Sequence, residues 1–194
     1  MILSDKDIKA ELANGLLKIE PLTNPDVQIQ AACVDLTLSN ELMAFAELPI
    51  GGYIDLMVNS GRYTDPILMP TDDDGNDYCF IHPNEFILGK TIEKVTIPDT
   101  LAASIDGRSS LGRIGLMLHV TSGWIDPGFR GHLVLEIKNV GPHTVKLIAG
   151  MRVAKLVLFR LSSIAERPYN TRQDAKYRNQ SAVEASKIAL DRKV

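Results

Sequence analysis

"DGRSSLGRIG" (residues 106–115) nearly spells a phosphate loop. Gly107 and Gly112 stand at the spacing G-x-x-x-x-G, and a basic residue, Arg113, follows. A Walker loop asks for Lys and then Ser or Thr, to reach the phosphates and their magnesium ion; here Ile114 comes after an Arg. Such a loop also needs a strand before it and a helix after it. What flanks this stretch therefore decides between an α/β nucleotide fold and a different architecture.

The flanks read as strands. "VDLTLS" (34–39) alternates Val34, Leu36 and Leu38, the period of a half-buried strand. "EFILGKTIEKVTIP" (85–98), "HLVLEIKNV" (132–140), "TVKLIAG" (144–150) and "MRVAKLVLFRL" (151–161) have the same character. Turn signals separate them: Pro49 with Gly51-Gly52, Asp74-Gly75-Asn76, Pro127-Gly128 and Gly141-Pro142. Helix signals gather near the ends. Ser4 with Asp7 starts one, Ile8 and Leu12 share its face, and Asn14-Gly15 stops it. Ser181 with Glu184 is placed to cap a short helix in the tail. Many short strands without βαβ alternation predict a mainly antiparallel β sandwich or barrel. No strand–loop–helix unit is expected around 106–115, which argues against a Walker loop.

A chain of 194 residues suits one domain with a sizeable core. With 45% apolar and 23% charged residues it is a folded rather than a disordered chain. A net charge of −3 speaks against a nucleic-acid-coating surface, so an anionic ligand would need a local basic pocket. The opening "MILSDKDIKAEL" lacks the basic and apolar regions of a signal peptide, and no apolar run is long enough to span a membrane. The expectation is a soluble, cytoplasmic protein. Cys33 and Cys79 permit one disulfide but no framework.

Metal-site patterns are poor matches. The H-x-E and P-C-x-x-C of zinc deaminases are missing, and His82, His119, His132 and His143 show no ligand spacing, so they read as surface or structural histidines. "TDDDGND" (71–77) hints at a calcium loop but puts Asp77 where that loop needs Gly; a solvated hairpin tip fits better. The glycine stretch is richer. Arg108 and Arg113 offer forked donors suited to phosphate oxygens, and the glycines admit close approach of backbone amides. In "HVTSGWIDPGFRGHLVLEI" (119–137), Leu133, Leu135 and Ile137 share one strand face, which leaves Glu136 with Val134 on the other. There a carboxylate either faces solvent or sits in a pocket and moves protons.

"DGRSSLGRIGLMLHVTSGWIDPGFRGHLVLEI" (106–137) resembles the central motif pair of the dCTP deaminases, relatives of the trimeric dUTPases. "RPYNTRQDAKYRNQ" (167–180) resembles the C-terminal motif of that family, and "LSDKDIKAEL" (3–12) its opening helix. The resemblance covers essentially the whole chain. It implies a distorted antiparallel β barrel or jelly roll of the dUTPase type with short helices, assembled as a homotrimer with active sites between subunits. Residues 1–165 would form the barrel domain and 166–194 a nucleotide-closing tail.

The resemblance also implies roles. Arg108, Ser109, Ser110, Leu111, Gly112 and Arg113 would bind phosphates and the reacting base. Glu136 would be the proton shuttle, flanked by the nucleotide contacts Val134 and Leu135, with Ser109, Arg113 and the backbone around Ser122 serving the attacking water. Asp126 would recognise the deoxyribose, and Tyr169, Lys176 and Gln180 would close over the nucleotide. Magnesium is expected on the triphosphate and no zinc in the chemistry. The implied reaction is hydrolysis of dCTP to dUTP and ammonia, with dTTP as an inhibitor.

Some positions depart from the pattern. Ser122 replaces a usual Ala. Gly123-Trp124 resembles the dUTPases and the bifunctional enzymes that carry dCTP through to dUMP and diphosphate. Ala154-Lys155, where those members have Gly-Gln, and the tail "DAKYRNQ" resemble the deaminase-only branch, and release of dUTP is the reading preferred here. The alternatives are the bifunctional enzyme and a non-catalytic nucleotide-binding regulator.

Overall fold

Ser4 starts the first helix as its spacing from Asp7 predicts. Its Oγ accepts a hydrogen bond from the Asp7 backbone N–H at 3.4 Å and caps α1 (Asp5–Ala13). Ile8 is fully buried beneath the helix, and Gly15 turns the chain away at a φ of 72°. The structure, a computed structural model, describes residues 1–58 and 60–191. The last three positions of the expected tail, 192–194, lie outside the described residues.

Strands follow in the order β1 (Lys18–Glu20), β2 (Ile29–Gln30), β3 (Cys33–Phe45), β4 (Thr64–Ile67), β5 (Tyr78–Ile81) and β6 (Phe86–Thr96). Then come β7 (Leu101–Gly107), β8 (Leu116–Met117), β9 (Trp124–Ile125), β10 (Arg130–Asn139), β11 (Val145–Ile148) and β12 (Arg152–Arg160). Two one-turn helices interrupt them, α2 (Pro25–Gln28) and α3 (Ser109–Gly112). The main sheet runs β8-β10-β6-β3-β12-β7-β9, with β1 on β6 and with β2 and β4 along β3; β11 and β5 form a separate ribbon. All of these strand pairings are antiparallel. The fold is mainly β, as the strand and turn signals predict.

The sheet curls around one core. Leu36 and Leu38 of β3, Ile87 of β6, Leu135 and Ile137 of β10, and Leu156 and Leu158 of β12 are essentially inaccessible to water. Each such side chain contributes about 1.5–3 kcal/mol through burial. On β10 the alternation holds: Leu133, Leu135 and Ile137 point inward, while Val134 and Glu136 lie half-buried on the other face.

Four expectations need correction. "VDLTLS" is not half-buried, because Asp35 and Ser39 are also inside, and β3 is covered on both faces. A strand does precede the glycine stretch. β7 was invisible in "LAASIDG", where Ala102, Ala103 and Ser104 carry little strand propensity, yet it lies between β12 and β9 and tertiary pairing overrides propensity. A helical turn, α3, also follows. What excludes a Walker loop is the antiparallel pairing of β7 and a helix of a single turn. Ser181 and Glu184 cap no helix: Glu184 pairs with Lys187 at 2.7 Å, and the local helical turn is a 3-10 turn at Ile188–Leu190. Both cysteines are free, and burial pushes the Cys79 thiol up to about 11.

The 71–77 segment is an exposed tip. Asp72 accepts from the backbone N–H groups of Asp74 and Asn76 and pairs with Lys146 at 2.7 Å. No helix among the described residues is long and apolar enough to cross a membrane.

Candidate active site

Glu136 projects from the middle of β10, opposite Leu88 of β6. Among the described residues, Thr121 holds its carboxylate. The Thr121 backbone N–H donates to Oε2 at 3.0 Å, and the Thr121 hydroxyl donates to the same oxygen at 3.0 Å. The sequence folds that way because β8 pairs with the far end of β10, through Lys138 with Met117. The chain leaving β8 then runs back beside β10, and Thr121 arrives at Glu136.

Glu136 lines a cavity of about 540 Å³. Ser122, Asp126, Val134, Tyr169 and Gln180 line it too. Apolar walls come from Phe45, Leu88, Ile105, Phe129 and Leu133. A mostly apolar cleft with a few convergent polar groups is the usual form of a small-molecule site. Asp126 opens the turn after β9, where the Phe129 N–H donates to the Asp126 carbonyl at 3.2 Å and Gly128 takes a φ of 80°.

The tail closes one side. Tyr169 packs on Phe129 with ring centroids 5.8 Å apart, and its hydroxyl accepts from the Tyr177 N–H at 2.9 Å. The Gln180 carbonyl accepts from the His132 N–H at 2.8 Å. Gly131 makes that approach possible, since a Cβ there would lie 2.8 Å from Gln180 backbone atoms. Arg172 reaches Asp126 at 3.4 Å and Asp174 at 2.8 Å. The Arg172 hydrogen bond holds the Asp174 carboxyl down at about 2.

The other predicted residues stand apart from this cavity. Ser109, Ser110, Gly112 and Arg113 are exposed on α3 and just after it, and none of them lines the cavity. Arg108 sits at the end of β7 beside Asp35 and Arg152. Leu111 and Leu135 point into the core and offer a ligand only their backbones. Lys176 is ion-paired with Asp191 rather than facing the cavity.

Comparison with known proteins identifies the family. The model of the dCTP deaminase-like family matches residues 2–161. The chain belongs to that family. A protein named dCTP deaminase, dUMP-forming, from Dictyoglomus thermophilum is 43% identical over 191 residues, covering 98% of this chain and 96% of that one. A protein named dCTP deaminase from Haloarcula marismortui is 43% identical over 195 residues, covering 99% and 97%. Among solved structures, the 2'-deoxycytidine 5'-triphosphate deaminase of Agrobacterium tumefaciens superposes with a TM-score of 0.60 at 22% identity. That match covers 81% of this chain and 47% of the other, and it speaks for the fold.

Within this member of the dCTP deaminase-like family, the motifs assign no functional role to one cavity residue, His119, or to two residues that hold cavity side chains, Thr121 and Arg172. Thr121 holds Glu136 through a contact fifteen residues apart in sequence. Arg172 holds Asp126 from the tail. His119 reads as a surface or structural histidine by spacing, yet it lines the cavity with both ring nitrogens buried and without a hydrogen-bond partner among the described residues. Its position in "LMLHVTS", two residues before Thr121, was the one available signal.

Proposed function

We propose that this protein hydrolyses dCTP at the cytosine C4 amino group, with Glu136 as the proton relay. The observation that carries the reading is Glu136 itself: a carboxylate on the wall of an apolar cleft, with Ser122 and Asp126 beside it. Family membership and the named relatives support the substrate.

The chemistry follows from what deamination needs. Water must attack C4, N3 must gain a proton, and the amine must leave as ammonia. Glu136 takes a proton from the water and delivers it to N3. It then moves the proton of the new hydroxyl to the amino group as the C–N bond breaks. Water and cytosine go in, uracil and ammonia come out, and the carboxylate is regenerated. Thr121 keeps the carboxylate in place, so no reorganisation is needed at the moment of transfer. Asp126 receives the deoxyribose, and Tyr169 with Gln180 closes the tail side.

Phosphates need positive charge, and among the described residues neither Lys nor Arg lines the cleft. The Arg108–Arg113 loop supplies it from a neighbouring subunit of a homotrimer, which also brings Ser109 and Arg113 to the base and the attacking water. This assembly explains why one chain keeps its two halves of the site apart. Among the described residues no three His, Cys, Asp or Glu side chains gather to hold a metal. Magnesium is expected on the triphosphate oxygens, where it would neutralise their charge.

Release of dUTP is the preferred outcome, with Lys155 standing where the bifunctional branch has Gln. Trp124 favours the second reading, loss of diphosphate to give dUMP, because it lines the cleft beside Asp126. Gly123 does not discriminate. A Cβ there would lie 2.7 Å from the Ile105 carbonyl, so its absence has a packing reason. Incubation with dCTP and Mg2+ is expected to release ammonia in step with a uracil nucleotide, which chromatography separates into dUTP or dUMP. Binding of dCTP without ammonia release would leave the regulator reading in its place.

A further inference from the structure

Asp35 is a charge in an unusual position. It lies on β3 with its side chain only 3% exposed. Its Oδ2 accepts from Arg152 Nη1 at 2.9 Å and sits 3.5 Å from Arg108 Nε. Its Oδ1 is buried and has no hydrogen-bond partner among the described residues. Burying a carboxylate with one orphan oxygen costs stability, and an apolar side chain in a core strand would avoid that cost. The charge is therefore better explained by what it does to its neighbours.

Those neighbours are two guanidiniums. The Arg108 guanidinium is ion-paired with Asp35 across 3.5 Å at Nε and donates from Nη1 to the Arg152 carbonyl at 3.1 Å. Its remaining N–H groups have no protein partner among the described residues, and the side chain is 29% exposed. Arg152 is anchored in turn by its bond to the Val27 carbonyl at 3.0 Å. The Arg108 backbone N–H meets the Val153 carbonyl at 3.3 Å, so main chain and side chain are both seated on β12. One carboxylate between two guanidiniums leaves the cluster positive. An arginine held this way loses little further freedom when an anion arrives.

We propose that Asp35, braced by Arg152, is a positioning residue that presents the Arg108 guanidinium to the nucleotide's phosphates. The inference rests on the assignment of Arg108 to phosphate recognition and extends it to two residues that lie outside the recognised motifs. Asp35 does not touch substrate; it acts through Arg108.

A double-mutant cycle tests this. Apparent affinity for dCTP (KM where turnover occurs, otherwise Kd by calorimetry) is measured for wild type, Asp35→Asn, Arg108→Ala and the double variant, with dCMP as a competitor lacking the outer phosphates. Asp35→Asn removes the charge of a buried ion pair and is expected to weaken dCTP at least about tenfold, with kcat within about twofold. Its dCMP affinity should stay at the wild-type value, and the double variant should be no weaker than Arg108→Ala alone. Should Asp35→Asn fail to fold, Arg152→Gln takes its place in the same cycle with the same expectations. Equal weakening of dCTP and dCMP, or an Asp35 effect that persists undiminished without Arg108, overturns the proposal. So does an Arg108→Ala variant that binds dCTP like wild type. A wild type that binds dCTP and releases no ammonia overturns the deaminase reading alone, and the cycle then stands as a binding measurement.

Discussion

Among single residues, Glu136 matters most through how it is held. A relay must return to the same place at each proton transfer, and Thr121 supplies both donors that fix it. Thr121→Val keeps the backbone N–H and the side-chain shape but removes the hydroxyl. It is expected to lower kcat about tenfold while KM changes less, since one hydrogen bond to a charged group is lost; unchanged kcat would show that the hydroxyl is idle. Glu136 was legible in the sequence because a charge stands out in an alternating apolar strand. Thr121 was not, since its partner is reached only when β8 folds back along β10. His119 escaped for a related reason: burial without a partner is a property of the folded cleft and leaves no spacing signature.

At the scale of elements, the loop that carries α3 is pinned by Gly115. This residue takes a φ of 85°, and a Cβ on it would lie 2.5 Å from Gly141 backbone atoms. Its carbonyl accepts from the Val140 N–H at 2.8 Å, which ties the loop to the chain just beyond β10. Gly115→Ala is therefore strained twice and should destabilise the fold by about 2–4 kcal/mol. A thermal melt should show Tm lower by roughly 5–15 °C; an unchanged Tm would mean that the two segments separate freely. The long strands β6, β10 and β12 were readable from periodicity. β7 was not, because Ala102, Ala103 and Ser104 look like no strand until β12 and β9 flank them. With β7 and α3 both flanking the glycine stretch, it is the antiparallel pairing of β7 and the single turn of α3 that exclude a Walker loop.

At the scale of the whole molecule, a single chain holds both halves of the proposed site but does not bring them together. The cleft has Glu136 and Asp126; the cations lie on the Arg108–Arg113 loop. Motif resemblance named most of these residues, yet no pattern along one chain shows which of them belong to one subunit's cleft and which complete another's. If the halves meet between subunits, Glu136→Gln and Arg113→Ala proteins should each be inactive alone. Unfolded together and refolded as a mixture, they should regain a fraction of wild-type ammonia release, because some mixed trimers carry one intact site. No recovery would place both halves in one chain. The central claim, dCTP deamination through Glu136, is tested most directly by chromatography of dCTP incubated with wild type and with Glu136→Gln. Wild type is expected to convert dCTP to a uracil nucleotide, and the variant, while still binding dCTP, to do so at least about a thousandfold more slowly. A wild-type rate from Glu136→Gln would contradict it.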